Sequence, residues 1–552
     1  MLILLIGKGE MVMVASENEF TYIIAGAGSA GCVLANRLSE DPKNRVLLLE
    51  AGTKDSYPWI HIPVGYFKTA MNPKTDWCFE TEADPGLNGR SIPYPRGKVL
   101  GGSSSINGLV YVRGQSQDYD QWRQLGNAGW SWDEVLPYFK KAEDQQRGES
   151  ETHGVGGPLA VSDISFTRGF SSSFIDAAEE VGIPRTDDFN GGDQEGVGFY
   201  QLTTRNGRRC SAAVGFLNPV KHRSNLTIAT EALVHRVIFE GKRAVGVEFS
   251  VKGEKRVERV TKQGGEILLS CGAIASPKVL QLSGVGPASV MQEFGIDMVH
   301  ELPGVGMNLQ DHLAARSVYK TNEPSLNNEV NSILGKLRIG LEYALFRKGP
   351  LTIAAGHVGM FAKTRPDLET PDVQFHVIPL SITGVGKELH RFAAFTASVC
   401  QLRPESRGHV VIKSTDPSVD PGIHPNYLAT VNDQQTIVDG LKLSRKIIAT
   451  PTMQKLVTEE FAPGLATQTD EQLLQFARDT GSTVYHPVST CKMGPDPMAV
   501  VDERLRVHGM RGLRVVDASI MPTLNSGNTN APTIMIGEKA ADMILEDARN
   551  AA

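Results

Sequence analysis

Three glycines near the start of the chain have the spacing of a phosphate-binding turn. Gly26, Gly28 and Gly31 form a G-x-G-x-x-G pattern between a short apolar run and a helical pattern. The first glycine permits a tight turn, the second lets the backbone approach a pyrophosphate, and the third lets helix and strand pack closely. The following helix points its unpaired N–H groups at the anion. Glu50 closes a second apolar run, 24 residues after Gly26, where it can accept hydrogen bonds from a ribose diol. The pattern predicts a dinucleotide site, whereas a plain glycine-rich turn would leave Glu50 unexplained.

A second stretch, residues 95–108, is rich in groups that donate hydrogen bonds. Gly101 and Gly102 are followed by three serines, which bring many N–H and O–H donors close to one ligand. A plain surface loop seldom follows an apolar Val-Leu pair so directly. The stretch therefore predicts a ligand-binding loop.

Two C-terminal stretches supply candidate groups for proton transfer. Pro487 biases His486 toward an extended backbone, so we expect this histidine outside a helix. Asn528 and Asn530 lie close to the start of the last predicted helix. A neutral imidazole can accept a proton near neutral pH. A histidine can equally be structural, however, and with thirteen histidines position alone cannot select His486.

Strand and helix patterns place these residues on the elements of a nucleotide-binding sheet. The first β-α-β unit covers roughly residues 20–50, and Gly272 leads into a helix over 274–282. The last helix runs from residue 534 to about 548, with Pro532 suited to its first turn. Further strands are predicted at 225–229, 245–249, 266–270 and 513–517.

The intervening stretches have a different texture and predict a second domain. Residues 373–377 and 409–412 read as strands of a separate sheet. We therefore expect two interleaved domains with a ligand at their interface. The nucleotide domain comprises 18–154, 221–315 and 481–552, and the substrate domain comprises 155–220 and 316–480.

The composition is that of an ordinary globular protein with room for more than one domain. The chain has 552 residues, of which 41% are hydrophobic and 21% charged. A net charge of −6 argues against a nucleic-acid partner and gives no sign of a polybasic membrane patch. The six cysteines are scattered without a C-x-x-C pair, which favours neither a metal site nor a disulfide framework and fits a reducing cytoplasm.

The N-terminal residues read poorly as a targeting or membrane segment. The apolar run from Leu2 to Ile6 is too short to span a bilayer. It lacks a basic region before it and a small-residue cleavage site after it. Met11 and Met13 are alternative natural starts.

Taken together, these stretches resemble the glucose-methanol-choline (GMC) family of flavoprotein oxidoreductases. The resemblance runs from Phe20 to about Ala548, and within the family the chain looks most like choline-dehydrogenase-like alcohol dehydrogenases of the alkanol and L-sorbose type. It implies an α/β fold in which a Rossmann-like FAD-binding domain is interleaved with an α+β substrate domain built on a largely antiparallel sheet. The matching motifs lie at 97–110, 270–277, 485–487 and 528–533.

The resemblance implies FAD as the cofactor, bound in an elongated form. Glu50 and the glycine turn would hold the adenosine ribose and the pyrophosphate, and Val234 would meet the adenine through its backbone. Asn107 and Gly108 would lie near the reactive edge of the ring, and Asp517 near the ribityl-phosphate. The last helix would point its positive end at the pyrimidine side of the ring. The full implied cofactor set is Gly26, Gly28, Ser29, Ala30, Gly31, Glu50, Ala51, Arg96, Val99, Gly101, Gly102, Ser103, Asn107, Gly108, Val110, Val234, Cys271, Gly272, Asp517, Ala518, Asn528, Thr529 and Thr533.

The resemblance also implies oxidation of a primary alcohol or polyol to the aldehyde or ketone by hydride transfer to flavin. His486 would be the catalytic base and Asn530 its partner, although Asn528 is an alternative alignment for the amide. Where some choline oxidases carry the histidine that bonds covalently to FAD, this chain has Ile106. We therefore predict noncovalent FAD.

Several alternatives stay open at this stage. The chain could be a choline dehydrogenase, an oxygen-using alcohol oxidase, an FAD-scaffolded hydroxynitrile lyase or a non-catalytic flavin-binding protein. Aromatic residues for a choline cage exist, but core packing is the preferred interpretation of Trp59, Tyr66, Phe67, Tyr343, Phe346 and Phe375. By resemblance we favour a quinone or another acceptor over oxygen, and a cytoplasmic location with peripheral membrane association at the inner face.

Overall fold

The computed structural model of the chain describes residues 6–7, 10–11, 19–262, 264–383 and 388–551. The alternative start at Met13 and residues 2–5 of the N-terminal apolar run lie outside these ranges.

Five parallel strands form the sheet that carries the glycine turn, which we call the nucleotide sheet. Its strands are composed largely of Val, Ile and Leu because helices and loops cover both faces of such a sheet. Val46–Leu49, for example, is buried at every position. The predicted strands at 225–229, 266–270 and 513–517 are confirmed here, each a residue or two shorter. The spatial order is Leu226–Ala229, Val46–Leu49, Tyr22–Ala25, Glu266–Leu269 and Leu513–Val515.

Three helices begin at the carboxyl ends of these strands. Ser29–Leu38 follows the glycine turn, and Gly272–Leu282 follows the strand Glu266–Leu269. The last helix, Asn530–Ala551, begins two residues before Pro532 and packs along Ser29–Leu38. At their contact a Cβ on Gly537 would come within 3.2 Å of the Ala30 backbone, so glycine permits the close approach.

The second sheet, which we call the large sheet, is antiparallel throughout, as expected for the substrate domain. Its outer face packs on the helix Val431–Ile448 in an apolar core that is separate from that of the nucleotide sheet. Its inner face looks toward the nucleotide domain. The strand order is Gly196–Phe199, Val358–Ala362, Val373–Ile378, Ala394–Gln401, Leu313–Thr321 and Val457–Ala462, with Ser482–Thr483 also paired to Leu313–Thr321.

One strand prediction is wrong in its partner. Residues 409–412 were expected to share a sheet with 373–377, but the strand Gly408–Val411 pairs with Met307–Leu309 and Gly422–His424 in a sheet of three. Hydrophobic alternation marks a strand and does not say which strand it joins. The domain boundaries stay a prediction. Leu313–Thr321 runs across the expected boundary at 315/316.

A three-stranded antiparallel sheet and many short elements complete the described structure. The three strands are Ala232–Glu240, Arg243–Val251 and Glu254–Arg259, which contain the predicted strand 245–249. The shorter strands are Ile6–Gly7, Glu10–Met11, Phe79–Glu80, Pro93–Tyr94, Val110–Tyr111, Glu143–Gln145, Leu159–Val161, Gln201–Leu202, Thr204–Arg205, Arg208–Arg209, Val285–Gly286 and His300–Glu301. The other α-helices are Pro58–His61, Tyr66–Thr69, Ser116–Gln124, Trp132–Ala142, Gly169–Glu180, Ala288–Phe294, Leu326–Asn331, Ile333–Phe346, Pro451–Gln454 and Asp470–Thr480. Short 3₁₀ or π turns occupy Pro63–Gly65, Pro85–Leu87, Gly102–Ser105, Ala213–Leu217, Pro350–Thr352 and Ala518–Ile520.

Candidate active site

One cavity of about 380 Å³ runs from the glycine turn to the inner face of the large sheet. It lies between the two domains, where ligand sites are common. All but three of the residues selected from the sequence line it. They are Gly26, Gly28, Ser29, Ala30, Glu50, Ala51, Arg96, Gly102, Ser103, Asn107, Gly108, Val110, Val234, Cys271, Gly272, His486, Asp517, Ala518, Asn528, Thr529, Asn530 and Thr533.

Gly31, Val99 and Gly101 lie behind the cavity wall and shape it instead of lining it. A Cβ on Gly31 would stand 1.9 Å from the carbonyl oxygen of Gly26, so glycine is required where helix meets turn. Gly101 has a φ of +89°, and its N–H donates to the Ala27 carbonyl at 2.8 Å, which docks the serine loop on the glycine turn. Val99 is fully buried beside Ile106.

Two buried carboxylates stand at the nucleotide end of the cavity. Glu50 accepts hydrogen bonds from the N–H groups of Ala27 at 2.9 Å and Gly52 at 2.8 Å, which ties the second strand to the glycine turn. Burial raises the pKa of this carboxyl to about 7. Asp517 accepts from the Gly272 N–H at 2.9 Å, and burial also raises its pKa. Both groups are fixed at the ends of nucleotide-sheet strands, where a ribose or polyol hydroxyl can reach them.

Helix N-termini converge on the same cavity. Ser29 and Asn530 each open a helix, and the Ser29 hydroxyl donates to the Asn530 Oδ1 at 2.8 Å. Gly272, with a φ of +82°, opens a third helix there. The positive dipole ends of three helices therefore lie at one cavity, although the Gly272 N–H is already paired with Asp517. This arrangement suits a pyrophosphate or another anion.

The serine loop is held from behind by a buried arginine. Arg209 donates to Asn107 Oδ1 at 2.6 Å and to the carbonyl oxygens of Ser104 at 3.1 Å and Ile60 at 2.7 Å. Burial lowers the pKa of this guanidinium to about 9. The bonds fix the loop, and with it Asn107 and Gly108, at the centre of the cavity.

His486 is positioned by a buried aspartate. The main-chain N–H of His486 donates to Asp311 Oδ1 at 2.8 Å. The other oxygen of this carboxylate accepts from hydroxyls of Tyr94 at 2.7 Å, Tyr427 at 2.5 Å and Thr483 at 2.6 Å. His486 lies outside any helix, as predicted from Pro487. These hydrogen bonds hold the backbone of His486 in place at the edge of the large sheet.

The hydrogen bonds of the imidazole fix its tautomer. The Leu402 carbonyl can only accept, so His312 Nε2, which lies 2.9 Å away, carries a proton. With His312 neutral, its Nδ1 must accept from His486 Nδ1 at 3.0 Å. His486 Nε2 is then unprotonated, and it faces the Asn528 Nδ2 at 3.1 Å. The lone pair of this nitrogen accepts the hydrogen bond of the Asn528 amide at the wall of the cavity.

Asn528, and not Asn530, is the amide beside the histidine. The sequence prediction paired His486 with Asn530, whose side chain instead accepts from Ser29. Asn528 Oδ1 accepts from Gln374 Nε2 at 3.2 Å, which orients the amide so that its NH₂ faces the imidazole. The last helix begins at Asn530, which places Asn528 in the preceding turn, beside the imidazole.

Burial and neighbouring basic groups keep the imidazoles neutral. The pKa of His486 is held well below its ordinary value, chiefly by burial and then by His312, His376 and Arg96. Burial likewise lowers the pKa of His312 and brings that of His376 to about 4. A neutral His486 is the form that can accept a proton.

Three residues that the sequence analysis missed form one row across the large sheet. Arg316 is paired with Ser398, and Ser398 with His376, on adjacent strands. Directly paired residues point to the same face, and all three line the cavity. Each comes from a different strand, so only tertiary pairing brings them together. In the sequence, the one available signal for these three residues is the alternation of polar and apolar side chains along their strands.

Sequence models described as GMC oxidoreductase match residues 20–314 and 404–537. The chain therefore belongs to the GMC oxidoreductase family. It is 46% identical over 528 residues to an alcohol dehydrogenase [acceptor] of Pseudomonas putida, covering 95% of this chain and 96% of that one. It is 43% identical over 538 residues to the human mitochondrial choline dehydrogenase, covering 96% and 90%. The crystal structure of a pyridoxine 4-oxidase from Mesorbium loti superposes with a TM-score of 0.86 at 31% identity, covering 95% and 99%.

The family cofactor, FAD, fits the residues present. At Gly28, which lines the cavity, a Cβ would meet no atom closer than the Ser270 carbonyl oxygen at 3.9 Å, so the missing side chain leaves room for a phosphate to approach the backbone. The converging helix ends suit the pyrophosphate, and Glu50 suits the adenosine ribose. The described residues form no cluster of His, Cys, Asp and Glu that could hold a metal ion.

Proposed function

We propose that the protein oxidises a primary alcohol to an aldehyde, with His486 as the base that takes the hydroxyl proton. The observation that carries the proposal is the unprotonated Nε2 of His486, which accepts a hydrogen bond from the Asn528 amide at the wall of the cavity. The family membership and the alcohol dehydrogenase among the relatives support it.

The residues divide the work as follows. An alcohol oxygen that displaced the Asn528 NH₂ from His486 Nε2 would give its proton to the imidazole and accept a hydrogen bond from the same amide. The new proton gives His486 a positive charge, which His312 Nδ1 stabilises because it still accepts from His486 Nδ1. Gln374 keeps the amide oriented during this change. FAD held by the glycine turn, Glu50 and Asp517 would supply the acceptor for the hydride of the carbinol carbon.

Anaerobic addition of a primary alcohol tests this proposal. The holoenzyme should lose its yellow absorbance within the turnover time, since two electrons and a proton leave the carbon together. A lyase that uses FAD only as a scaffold would cleave a hydroxynitrile and leave the absorbance unchanged. No bleaching with any member of a panel of aliphatic, aromatic, sugar and choline alcohols contradicts the proposal.

Choline is the second candidate substrate because choline dehydrogenases are among the relatives. We propose that neutral alcohols are preferred. Among the described residues, the carboxylates that line the cavity are only Glu50 and Asp517, both at the nucleotide end. The charged group on the large-sheet side is Arg316, in the same row as His376. Tyr66 and Phe67 offer aromatic surface in the same cavity, to which Arg316 contributes a positive charge.

A pair of alcohols of equal shape tests this preference. Choline and 3,3-dimethylbutan-1-ol differ in whether the branched centre is a charged nitrogen or a neutral carbon. We expect kcat/KM to favour the neutral alcohol, by about tenfold or more at an effective dielectric near 20. Arg316→Gln should reduce the ratio, while Arg205→Gln, at an exposed hairpin, should leave it unchanged. A wild-type preference for choline contradicts the proposal.

We further propose that the electrons pass to a quinone or a similar acceptor at the surface of a membrane. A relative named for an unspecified acceptor supports a reaction that does not end on oxygen. Comparing turnover with a quinone analogue and turnover in air tests this point. Faster turnover in air than with any quinone contradicts it.

A further inference from the structure

The helix Ile333–Phe346 carries an apolar stripe on its solvent side. Four leucines at helical spacing, Leu334, Leu337, Leu341 and Leu345, are exposed by 79, 65, 61 and 64%. Residues three or four apart lie on one face of a helix, so these side chains form a single row. We call this row the leucine stripe.

The same helix also has a buried face, formed by Ile339 and Tyr343. An ordinary surface helix buries one apolar face and turns a polar one to water. Here the face opposite the core is apolar as well, and Ile333 and Phe346, at the two ends of the helix, are also exposed, by 78 and 66%. Contiguous exposed apolar surface of this kind marks an interaction site.

Cations flank the leucine stripe. Lys336, Arg338, Arg347 and Lys348 are all exposed, whereas the one acidic residue between 333 and 348 is Glu342. In the described part of the chain, Lys336, Arg338 and Lys348 take part in no ion pair. A chain of net charge −6 therefore presents a locally basic and apolar surface at this helix.

The helix that carries the leucine stripe is connected to the wall of the cavity by a short segment of chain. The chain runs from this helix through the turn Pro350–Thr352 to Ala355, which lines the cavity beside Gly108. The preceding helix, Leu326–Asn331, contributes Leu326 to an apolar cluster that includes Phe67, Ile378 and Ile382. These three partly buried side chains also line the cavity. Apolar side chains therefore connect the helix that precedes the leucine stripe with the cavity.

We propose that the leucine stripe docks the enzyme on the surface of a membrane that contains anionic lipids. The inference specifies the surface for the membrane association proposed above and rests on it. Leucines would enter the acyl boundary while the flanking cations meet lipid phosphates. None of the described helices combines the length and hydropathy needed to cross a bilayer, so the contact is peripheral. A second copy fits less well because two such faces would oppose cation to cation.

Docking through the leucine stripe would bring the lipid surface close to the segment that leads from this helix to Ala355 in the cavity wall. An apolar alcohol or a lipid-dissolved quinone could then reach the site without crossing water. Water-soluble alcohols and dye acceptors would still enter from solution, so the chemistry itself does not require the membrane.

Vesicle flotation of the purified holoenzyme tests the proposal. We expect the protein to float with vesicles of phosphatidylcholine containing about a third phosphatidylglycerol, and much less with phosphatidylcholine alone. Leu337→Glu combined with Leu341→Glu should lower the bound fraction at least about tenfold, since each carboxylate would have to enter the interface. Lys336→Gln with Arg338→Gln should weaken only the binding to anionic vesicles. Raising the salt concentration from about 0.1 M to about 0.5 M should likewise weaken only the binding to anionic vesicles.

The matched control is Val431→Glu combined with Leu465→Glu. These residues are also apolar and exposed, by 80 and 72%, but lie outside the stripe. The control should float like the wild type. All variants should keep the flavin and the turnover of a short alcohol with a soluble dye, which separates this test from that of the proposed reaction.

Three outcomes overturn the proposal. The wild type may fail to float with anionic vesicles, or the stripe variant may float as well as the wild type. Alternatively, sedimentation may show a wild-type dimer that the stripe variant dissociates, with no lipid binding by either, which assigns the stripe to a second copy.

Discussion

At the residue scale, the protonation state of His486, the base in the proposed reaction, is determined by the main-chain carbonyl of Leu402, which acts through His312. Leu402 fixes the proton of His312, and His312 fixes that of His486. Neither imidazole can flip its tautomer without leaving a buried nitrogen or carbonyl unpaired, at a cost of about 1–3 kcal/mol. The site is therefore organised for proton acceptance before an alcohol arrives.

The two asparagines near the last helix should behave differently when replaced. We expect Asn528→Ala to slow flavin reduction by about 10- to 100-fold, because the alcohol loses its second hydrogen-bond partner. Asn530→Ala removes only the contact with Ser29, so the rate should stay within a few-fold. Anaerobic stopped-flow with saturating alcohol measures both.

His486→Ala, with the base removed, should slow the same step by about 100-fold or more. A larger effect at Asn530 than at Asn528 would restore the alignment expected from sequence. A near-normal rate in His486→Ala would remove the base assignment altogether.

The pH dependence should follow from the lowered pKa of His486. A lowered pKa means that the proton leaves more readily, so the basic form persists at pH values below the ordinary 6.5. We therefore expect kcat/KM to be flat from about pH 6.5 to about pH 8 and to fall only in more acid solution. An acid limb centred at or above 6.5 in kcat/KM, measured with a non-titrating alcohol, would contradict this.

At the element scale, local patterns were readable from the sequence and pairings were not. The strand–turn–helix around Gly26 and the strand ending at Glu50 depend on neighbouring residues, and both were predicted correctly. Arg316 and His376 come together only through strand register, which no local pattern encodes. The shift from Asn530 to Asn528 reflects how poorly a helix start is fixed by sequence.

Two glycines in helices offer a matched test of the close contact at the phosphate turn. In Gly31→Ala the new methyl would stand 1.9 Å from the Gly26 carbonyl oxygen, so turn and helix must separate. We expect loss of most bound FAD and a lower melting temperature. Gly340→Ala, where nothing lies within 4 Å, should keep FAD and gain up to about 1 kcal/mol of helix stability.

The ratio of flavin to protein absorbance and a thermal scan measure both variants. Full FAD occupancy in Gly31→Ala would show that the turn tolerates a side chain, and the argument from close packing would then fail.

At the scale of the whole molecule, the cavity joins two domains that have separate apolar cores. The nucleotide sheet supplies the glycine turn and its carboxylates, and the large sheet supplies Arg316 and His376. His486 stands at the junction, held by Asp311 at the start of a large-sheet strand. A cofactor bound along this cavity would contact both halves, so binding and folding should be linked.

That linkage should be reversible, because the position that could carry a covalent bond to FAD is Ile106, which lines the cavity. Among cavity residues near the turn, Cys271 is a thiol whose pKa burial raises, so it stays protonated and unreactive. Acid precipitation should therefore release yellow flavin into the supernatant.

Adding FAD to the apoprotein should raise its melting temperature in a concentration-dependent way. FMN, which lacks the adenosine that Glu50 would bind, should raise it less. Flavin that stays in the acid pellet, or FMN as effective as FAD, would contradict the noncovalent, elongated binding that the cavity implies.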